Sequence, residues 1–493
     1  MKAANPVIAG FHPDPSLCRV GEDFYLVCSS FEYWPALPVF RSRDLVHWSQ
    51  VGNAIDRPGQ LDLTPVPSSL GITAPTIRHH DGRFWLACSV LGLGPGAGGL
   101  GSFQFVITAD DPAGPWSDPV PVRLPGIDPD LTWDDEGNCW FTYYGIRQAR
   151  IDAVSGAVLS EPVRQWSGSP GAQAPEAPHL FRRGRYWYLM IAEGGTERGH
   201  SVAVARGPSP AGPFEPCPHN PILTHRGLAH GIQNTGHADM VELEDGSWWM
   251  VLLAVRPRGM TPRFHVLGRE TFLTRVSWED DWPVVDLVAE ELDGPELEPC
   301  PWPAPPARHD FAGGLAPQLV SVRQRRPEDV KVDGGRLVLA GGKDDLDGRL
   351  PTFVGRRQTD HHCRVSAQLQ AAEGAVGLGV RMDERHHVEV VLEAGRLRAR
   401  ARIGPLCQEL GSTPAPSGAV QLAIETRAAS GWSAGPDTVA LGYLDGGAMI
   451  SLGELDGRYL STEVAGGFTG RVAGVFSAGG PAQVDWLEYR GID

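Results

Sequence analysis

Five times in the N-terminal three-fifths of the chain, a glycine-containing turn runs straight into an aromatic-rich strand: GEDFYLV, DGRFWLA, EGNCWFT, RGRYWYL and DGSWWMV. The turn glycines, Gly21, Gly82, Gly137, Gly184 and Gly246, are separated by 61, 55, 47 and 62 residues, a spacing that holds four short strands with their loops. A unit of this kind cannot bury its apolar face alone and has to pack on copies of itself. Four-stranded units repeated around an axis are the blades of a β-propeller. The spacing therefore predicts an all-β protein with a five-bladed propeller over residues 1–292. The 61 glycines and 43 prolines of the 493-residue chain, with few stretches of 3.6-residue period, agree with many turns and little helix.

A chain of this length exceeds one ordinary core. Its composition breaks at residues 293–307, DGPELEPCPWPAPPA, where six prolines in fifteen residues remove backbone donors and predict a semi-rigid connector. Beyond it, residues 308–493 carry alternating segments such as RLVLA (336–340) and VEVVLE (388–393), with turns at Gly334-Gly335 and Ala394-Gly395. That is a half-buried antiparallel pattern, and it predicts a β-sandwich.

Charge narrows the partners. Lys and Arg total 43 against 59 Asp and Glu, a balance of −16 with no basic run to offset it. Such a surface repels phosphate backbones and anionic lipid heads, so neither nucleic acid nor a membrane is expected as partner. No apolar run approaches the roughly 18 residues of a membrane span. The start, MKAANPVIAGFHPDPS, lacks the apolar core of a secretion signal, and the eight cysteines form no CxxC pair. Reduced, mostly buried thiols and a cytoplasmic location are the expectation.

Eight or nine residues before each turn glycine, give or take one, the preceding strand begins with DPS at Asp14, TAPT at Thr73, DPD at Asp128, EAPH at Glu176 and HAD at His237. The innermost strands of a propeller ring one axis, so these positions converge on one funnel. Three carboxylates there suit glycoside hydrolysis, which needs one acid to protonate the leaving oxygen and one carboxylate to activate water or attack the anomeric carbon. Asp14, between two prolines, and Glu176, between Pro175 and Ala177-Pro178, are the pair. Asp128 beside Glu176 disfavours its ionisation and keeps it an acid. Asp130, two residues on, faces the same side, which leaves an exchange of roles with Asp128 open. His237 is a candidate to orient a carboxylate, bind substrate or ligate a metal. Arg269 in LGRET offers a charged fork for a carboxylate or sugar hydroxyls. Phe31, Tyr33 and Trp34 in SSFEYWPALP are expected in a loop whose rings floor a sugar subsite, whereas the aromatics of the five repeats are blade-packing core. His225, His230, His79 and His80 are read as loop or surface groups.

The segments NPVIAGFHPDPS, SSFEYWPALPVFRSRDLVHW, APTIRHHDGRFW, GIDPD, PEAPHLFRRGRYWYLMIAEGG, GHADMVE and LGRETFL together resemble glycoside hydrolase family 43, especially its β-xylosidase-like members with a C-terminal sandwich, over essentially the whole chain. The resemblance implies a concanavalin-like, jelly-roll sandwich as second domain, Asp14 as general base, Glu176 as general acid, and Asp128 as the group that tunes and orients the acid. It further implies that Phe31, Trp34, His237, Arg269 and, from the sandwich, Phe468 of GGFTG line the sugar subsite. No cofactor is implied for catalysis; a structural calcium near the axis is, with His237 in its shell, although one imidazole is an odd start for a hard cation. The expected activity is exo-acting and inverting, releasing β-D-xylose from the non-reducing ends of xylo-oligosaccharides. An α-L-arabinofuranosidase or bifunctional enzyme acting on arabinosylated oligosaccharides is the near alternative. A carbohydrate-binding propeller without catalysis and a phosphorylase are more distant ones. Relatives of this architecture often form homo-oligomers. Where relatives commonly read WAP, this chain has Thr73-Ala74-Pro75, which implies a subsite missing one large wall.

Overall fold

The computed structural model describes residues 2–93, 101–370 and 374–492. Ser16–Ile55, Gly71–Val122, Asp130–Arg164, Glu176–Pro216 and Gln233–Val285 each fold into one antiparallel sheet of four strands, the third sheet carrying a fifth. The first strands of the five sheets (Ser16–Val20, Gly71–His80, Asp130–Trp133, Glu176–Arg183 and Gln233–Glu242) touch one another in turn, and the fifth returns to the first, so the ring is closed. The five turn glycines sit in the hairpins after these strands, all with positive φ and open space where a Cβ would stand, so it is the backbone conformation that selects glycine.

The repeated aromatics explain why the sheets stack. Each junction between neighbouring blades has its own apolar cluster: Tyr25 with Phe84, Trp85 with Phe141, Trp140 with Trp187, Tyr188 with Trp248, and, closing the ring, Trp249 with Phe24. An aromatic on each face of every second strand serves the blade before and the blade after. The N-terminal segment fastens the closure. Lys2–Ala4 pairs with Glu291–Asp293, Ile8 bridges Thr271, and the Asn5 amide donates to the carbonyls of Leu273 and Ala289.

From Gly294 to Ala307 the chain has no regular structure and runs along blade 1, where Cys300 N–H donates to Asp44 Oδ2 (2.7 Å) and the Arg41 guanidinium lies over the Trp302 ring. The remainder forms two facing antiparallel sheets. One has the order Val330–Asp333, Arg336–Leu339, Ala482–Gly491, Cys363–Leu369, Val420–Arg427, Thr438–Asp445 and Ala448–Asp456, with Arg308–His309 added to the Ala482–Gly491 strand. The other runs Thr352–Arg357, Val472–Ala478, Ala375–Asp383, His386–Glu393, Arg396–Ile403 and Leu406–Pro414. Val365, Leu378, Val390, Leu422, Leu441 and Val475 fill the space between them.

The two halves share a core. Phe11, Phe31 and Tyr33 of the propeller pack with Val320, Phe353, Val472 and Phe476 of the sandwich. Here one expectation fails. Tyr33–Trp34 is no exposed loop but a short strand paired with Ser321–Val322. Trp34 is 5% exposed and packs among Val39, Leu63 and Ile72, so it floors no sugar subsite. That pairing joins residues almost 290 positions apart, which no local pattern announces. His225 is likewise no surface group: it is fully buried, its Nδ1 2.9 Å from Ile232 O and its Nε2 accepting from Val288 N–H.

Candidate active site

Asp14, Ala74, Asp128, Ala177 and His237 occupy matching places at the heads of the five inner strands, and all have positive φ (56°, 45°, 55°, 49° and 48°). The left-handed conformation costs an L-residue about 1–2 kcal/mol. Within the second, fourth and fifth blades the strand pairing slips across the same place, between Thr73 and Thr76, Glu176 and His179, and Gly236 and Asp239. A bulge of this kind re-aims side chains and ends pairing, and here it turns the strand heads into the wall of one funnel. Glu176 stands one residue before the bulged position, level with Thr73 and Gly236 rather than with Asp14 and Asp128.

Asp14 is buried and fully engaged. Ser29 Oγ donates to its Oδ2 (2.5 Å), Arg269 Nη1 to its Oδ1 (2.9 Å), and His237 Nδ1 lies 3.6 Å from that same oxygen. Burial alone would raise its pKa, but the charge of Arg269, the proximity of His237 and the Ser29 hydrogen bond outweigh it, and the carboxyl is held below the usual carboxylate range. Ser29 is itself fixed, accepting from Ala74 N–H at 2.7 Å.

The other two acids behave oppositely. Burial, and then the negative charge of Asp14, push Glu176 up to about 7, with Arg269 opposing. Asp128 is driven well above its ordinary value by burial and by the neighbouring Glu176 and Asp14 carboxyls, against an Ala177 N–H donated to its Oδ2 at 3.1 Å. Like charges this close cannot all ionise, so near neutral pH the funnel holds an ionised Asp14 facing a Glu176–Asp128 pair that retains a proton. Asp130 takes no part. It is buried with its carboxylate bound by Arg78, and its pKa is lowered: burial raises it, but Arg78 and His179 prevail.

The walls come from both halves of the chain. The rings of Phe31 and Phe468 stack at 5.9 Å and 19°, and the Arg269 guanidinium lies 5.5 Å and 5.6 Å from their centroids. The approach needs glycine: a Cβ on Gly268 would stand 2.9 Å from Gly470 N. Arg269 also donates to Thr196 Oγ1 (3.1 Å), while its buried Nε has no partner among the described residues. Thr73 is buried in the inner strand of the second blade, its hydroxyl 2.9 Å from Ser89 Oγ.

Sequence reasoning passed over Ser29, Thr196, His200 and Arg78. His200 packs its ring where a Cβ on Gly236 would fall, 2.4 Å away, which explains the glycine of GHAD. Burial pushes His200 down to about 4 and His237 down to about 3, so both imidazoles are neutral near Asp14. One layer below the acids, Arg78 of blade 2 reaches every other blade. Nη1 donates to Ser16 Oγ (3.1 Å) and Asp239 Oδ2 (2.8 Å), and Nη2 to Asp130 Oδ1 (2.8 Å), with His179 Nδ1 3.0 Å from Nη2 and 3.1 Å from that same Asp130 oxygen. These partners lie two residues beyond the left-handed positions of their blades.

The expected calcium does not fit these residues. The ring nitrogen of His237 that has a carboxylate neighbour shares it with the Arg269 guanidinium, the axis below is filled by the charge of Arg78, and among the described residues no group of three or more His, Cys, Asp or Glu is arranged to hold a metal ion. A hard divalent cation requires six to eight oxygens.

Comparison with known proteins identifies the family. The family model described as glycosyl hydrolases family 43 matches residues 3–283, and that of the β-xylosidase C-terminal concanavalin A-like domain matches residues 308–490. A non-reducing end α-L-arabinofuranosidase of Bacteroides ovatus is 36% identical over 99% of this chain and 95% of its own. A xylosidase/arabinosidase of Butyrivibrio fibrisolvens is 34% identical over 99% of this chain and 98% of its own. Among solved structures, a xylan β-1,4-xylosidase of Bacillus halodurans superimposes with a TM-score of 0.91 at 30% identity, covering 99% of this chain and all of the other.

Proposed function

We propose that this chain, which belongs to glycosyl hydrolase family 43, is an exo-acting, inverting glycosidase that removes single β-D-xylosyl groups from the non-reducing ends of xylo-oligosaccharides, with Asp14 as general base and Glu176 as general acid. One observation carries the reading. Within one funnel, Asp14 is held ionised by Arg269 and Ser29 while burial and charge repulsion keep Glu176 protonated to about pH 7. Paired groups whose environments push their pKa values apart are the mark of an acid and a base working together.

The step balances as follows. A water between Asp14 and the sugar gives its proton to the Asp14 carboxylate as its oxygen bonds to the anomeric carbon. The glycosidic bond breaks, and the Glu176 proton moves to the departing oxygen. Asp14 then loses its proton to solvent and Glu176 regains one. Asp128, anchored to the backbone of the residue after Glu176, orients the acid and sets its affinity for the proton. Arg269 holds Asp14 in place. Closure of the pocket by Phe468 against Phe31 supports removal of one terminal sugar at a time. Eight cysteines without a disulfide support action in a reducing compartment, the cytoplasm.

A second reading, release of α-L-arabinofuranosyl groups, is favoured by the name of the Bacteroides ovatus relative and by Thr73 standing where relatives commonly carry a tryptophan. Initial rates on xylobiose, arabinosylated xylo-oligosaccharides and the two aryl pentosides decide between them. Asp14→Ala, Glu176→Ala and Asp128→Ala should each lower kcat by at least about 10²-fold with the fold intact. The Glu176 variant should recover most on aryl glycosides, whose leaving groups need no proton. An Asp14→Ala enzyme with wild-type rates would overturn the assignment.

A further inference from the structure

Outward from Arg269 and Phe468 the funnel opens into a cavity of about 1200 Å³, more than the roughly 300–1,000 Å³ typical of a small-molecule site. If a terminal pentose sits among the three acids, as proposed above, whatever fills this cavity is the leaving group. Its walls are three loops, 194–200, 224–232 and 256–269, with the segment that carries Phe468 opposite. Each loop contributes one exposed arginine to the lining: Arg198, Arg226 and Arg263. None of the three pairs with a carboxylate among the described residues. Arg198 donates to Pro262 O, Arg263 Nη1 to His230 O at 3.4 Å, and the Arg226 side chain has no partner among the described residues. Of the two acids in these walls, Glu463 is spent on His265, accepting from its backbone N–H at 2.9 Å and lying 2.7 Å from its Nδ1, which leaves Glu197 alone against three guanidinia. On a chain with a balance of −16, a cationic lip at the mouth of the site is a local reversal of sign.

We infer that this cavity selects leaving groups that carry a carboxylate, so that the preferred substrates are pentose-capped oligosaccharides bearing a uronosyl branch on the sugar next to the scissile bond. A guanidinium presents parallel N–H donors matched to a carboxylate, and a rim of one sign raises the rate of encounter with an oppositely charged substrate. The inference rests on the hydrolase reading, and the test separates the two.

The substrate pair is xylotriose with a glucuronosyl branch on the middle xylose, and the same compound with its carboxyl reduced to the alcohol. At low salt the wild-type enzyme should favour the acid over the alcohol at least about fivefold in kcat/KM, the scale expected of several exposed charge pairs acting together, and half-molar salt should erode the preference. Arg226→Gln should lower the ratio and Arg226→Glu bring it below one, with kcat/KM on the neutral compound within about twofold of wild type. Arg226 has no side-chain partner to lose, so these variants fold. Equal rates on acid and alcohol, or an Arg226 effect equal on both, would overturn the inference and leave the hydrolase reading standing. Failure to release a pentose from either compound while unbranched xylotriose is hydrolysed would overturn the inference alone; failure on all three would overturn both.

Discussion

Replacing Arg78 with methionine removes a side chain that binds residues of all four other blades. Its worth follows from the groups it serves. Asp239, wholly buried, is displaced from 3.8 to about 2: burial pushes it upward, but Arg78, then His179, prevail. A carboxyl whose pKa is lowered on folding stabilises the native state above its ordinary pKa and loses that contribution as pH falls to the folded value. For Asp239 this amounts to about 2 kcal/mol, present at pH 7 and lost between about pH 4 and 2. Removing the guanidinium also leaves Asp130 buried beside it, and breaking a buried ion pair from one side costs about 3–5 kcal/mol. Urea unfolding of Arg78→Met at pH 7, followed by tryptophan fluorescence, should show a loss of that size. The loss should shrink toward pH 4, because the abandoned carboxyls then take up protons. Adding Asp130→Asn and Asp239→Asn should restore much of it. A loss below about 1 kcal/mol at pH 7, or one independent of pH, would refute the view that this cation bolts the ring.

Other consequences are as direct. Because Glu176 must carry a proton, kcat/KM should fall about tenfold per pH unit above about 7; the residual activity of Glu176→Gln should lack this alkaline limb, as a rate profile in constant ionic strength will show. Phe468→Ala removes the ring stacked on Phe31 and should raise KM for short substrates about five- to thirtyfold, the equivalent of about 1–2 kcal/mol, with kcat less affected. Gly236→Ala drives a methyl into the His200 ring and should cost about 1–3 kcal/mol in urea unfolding, lowering kcat through displacement of His237.

The five sheets and the gathering of three carboxyls at their inner ends were legible because each is a local demand repeated. Every blade needs a left-handed glycine and an aromatic pair such as Trp248-Trp249, one ring for each neighbouring junction. Four of the five left-handed residues at the heads of the inner strands immediately precede a proline, so Asp14 and Asp128 announce themselves by context. The same bulge hid the register of Glu176, one residue out of step. Arg78 was invisible because APTIRHH reads as an ordinary alternation of inward and outward residues, and only closure of the ring gives its charge four partners. Ser29, Thr196 and His200 follow second strands in loops whose neighbours come from other blades. Trp34 misled for a related reason: its partner strand belongs to the sandwich, so a ring that sequence leaves in solvent is covered by tertiary contact.

The order of bond making at the anomeric carbon tests the division of labour between Asp14 and Glu176 most directly. Proton NMR during the first seconds of hydrolysis of an aryl β-D-xyloside should show α-xylose as the first-formed sugar, with the β-anomer appearing only by mutarotation. First appearance of β-xylose would mean that Asp14 attacks the sugar itself rather than activating water, and would contradict the account.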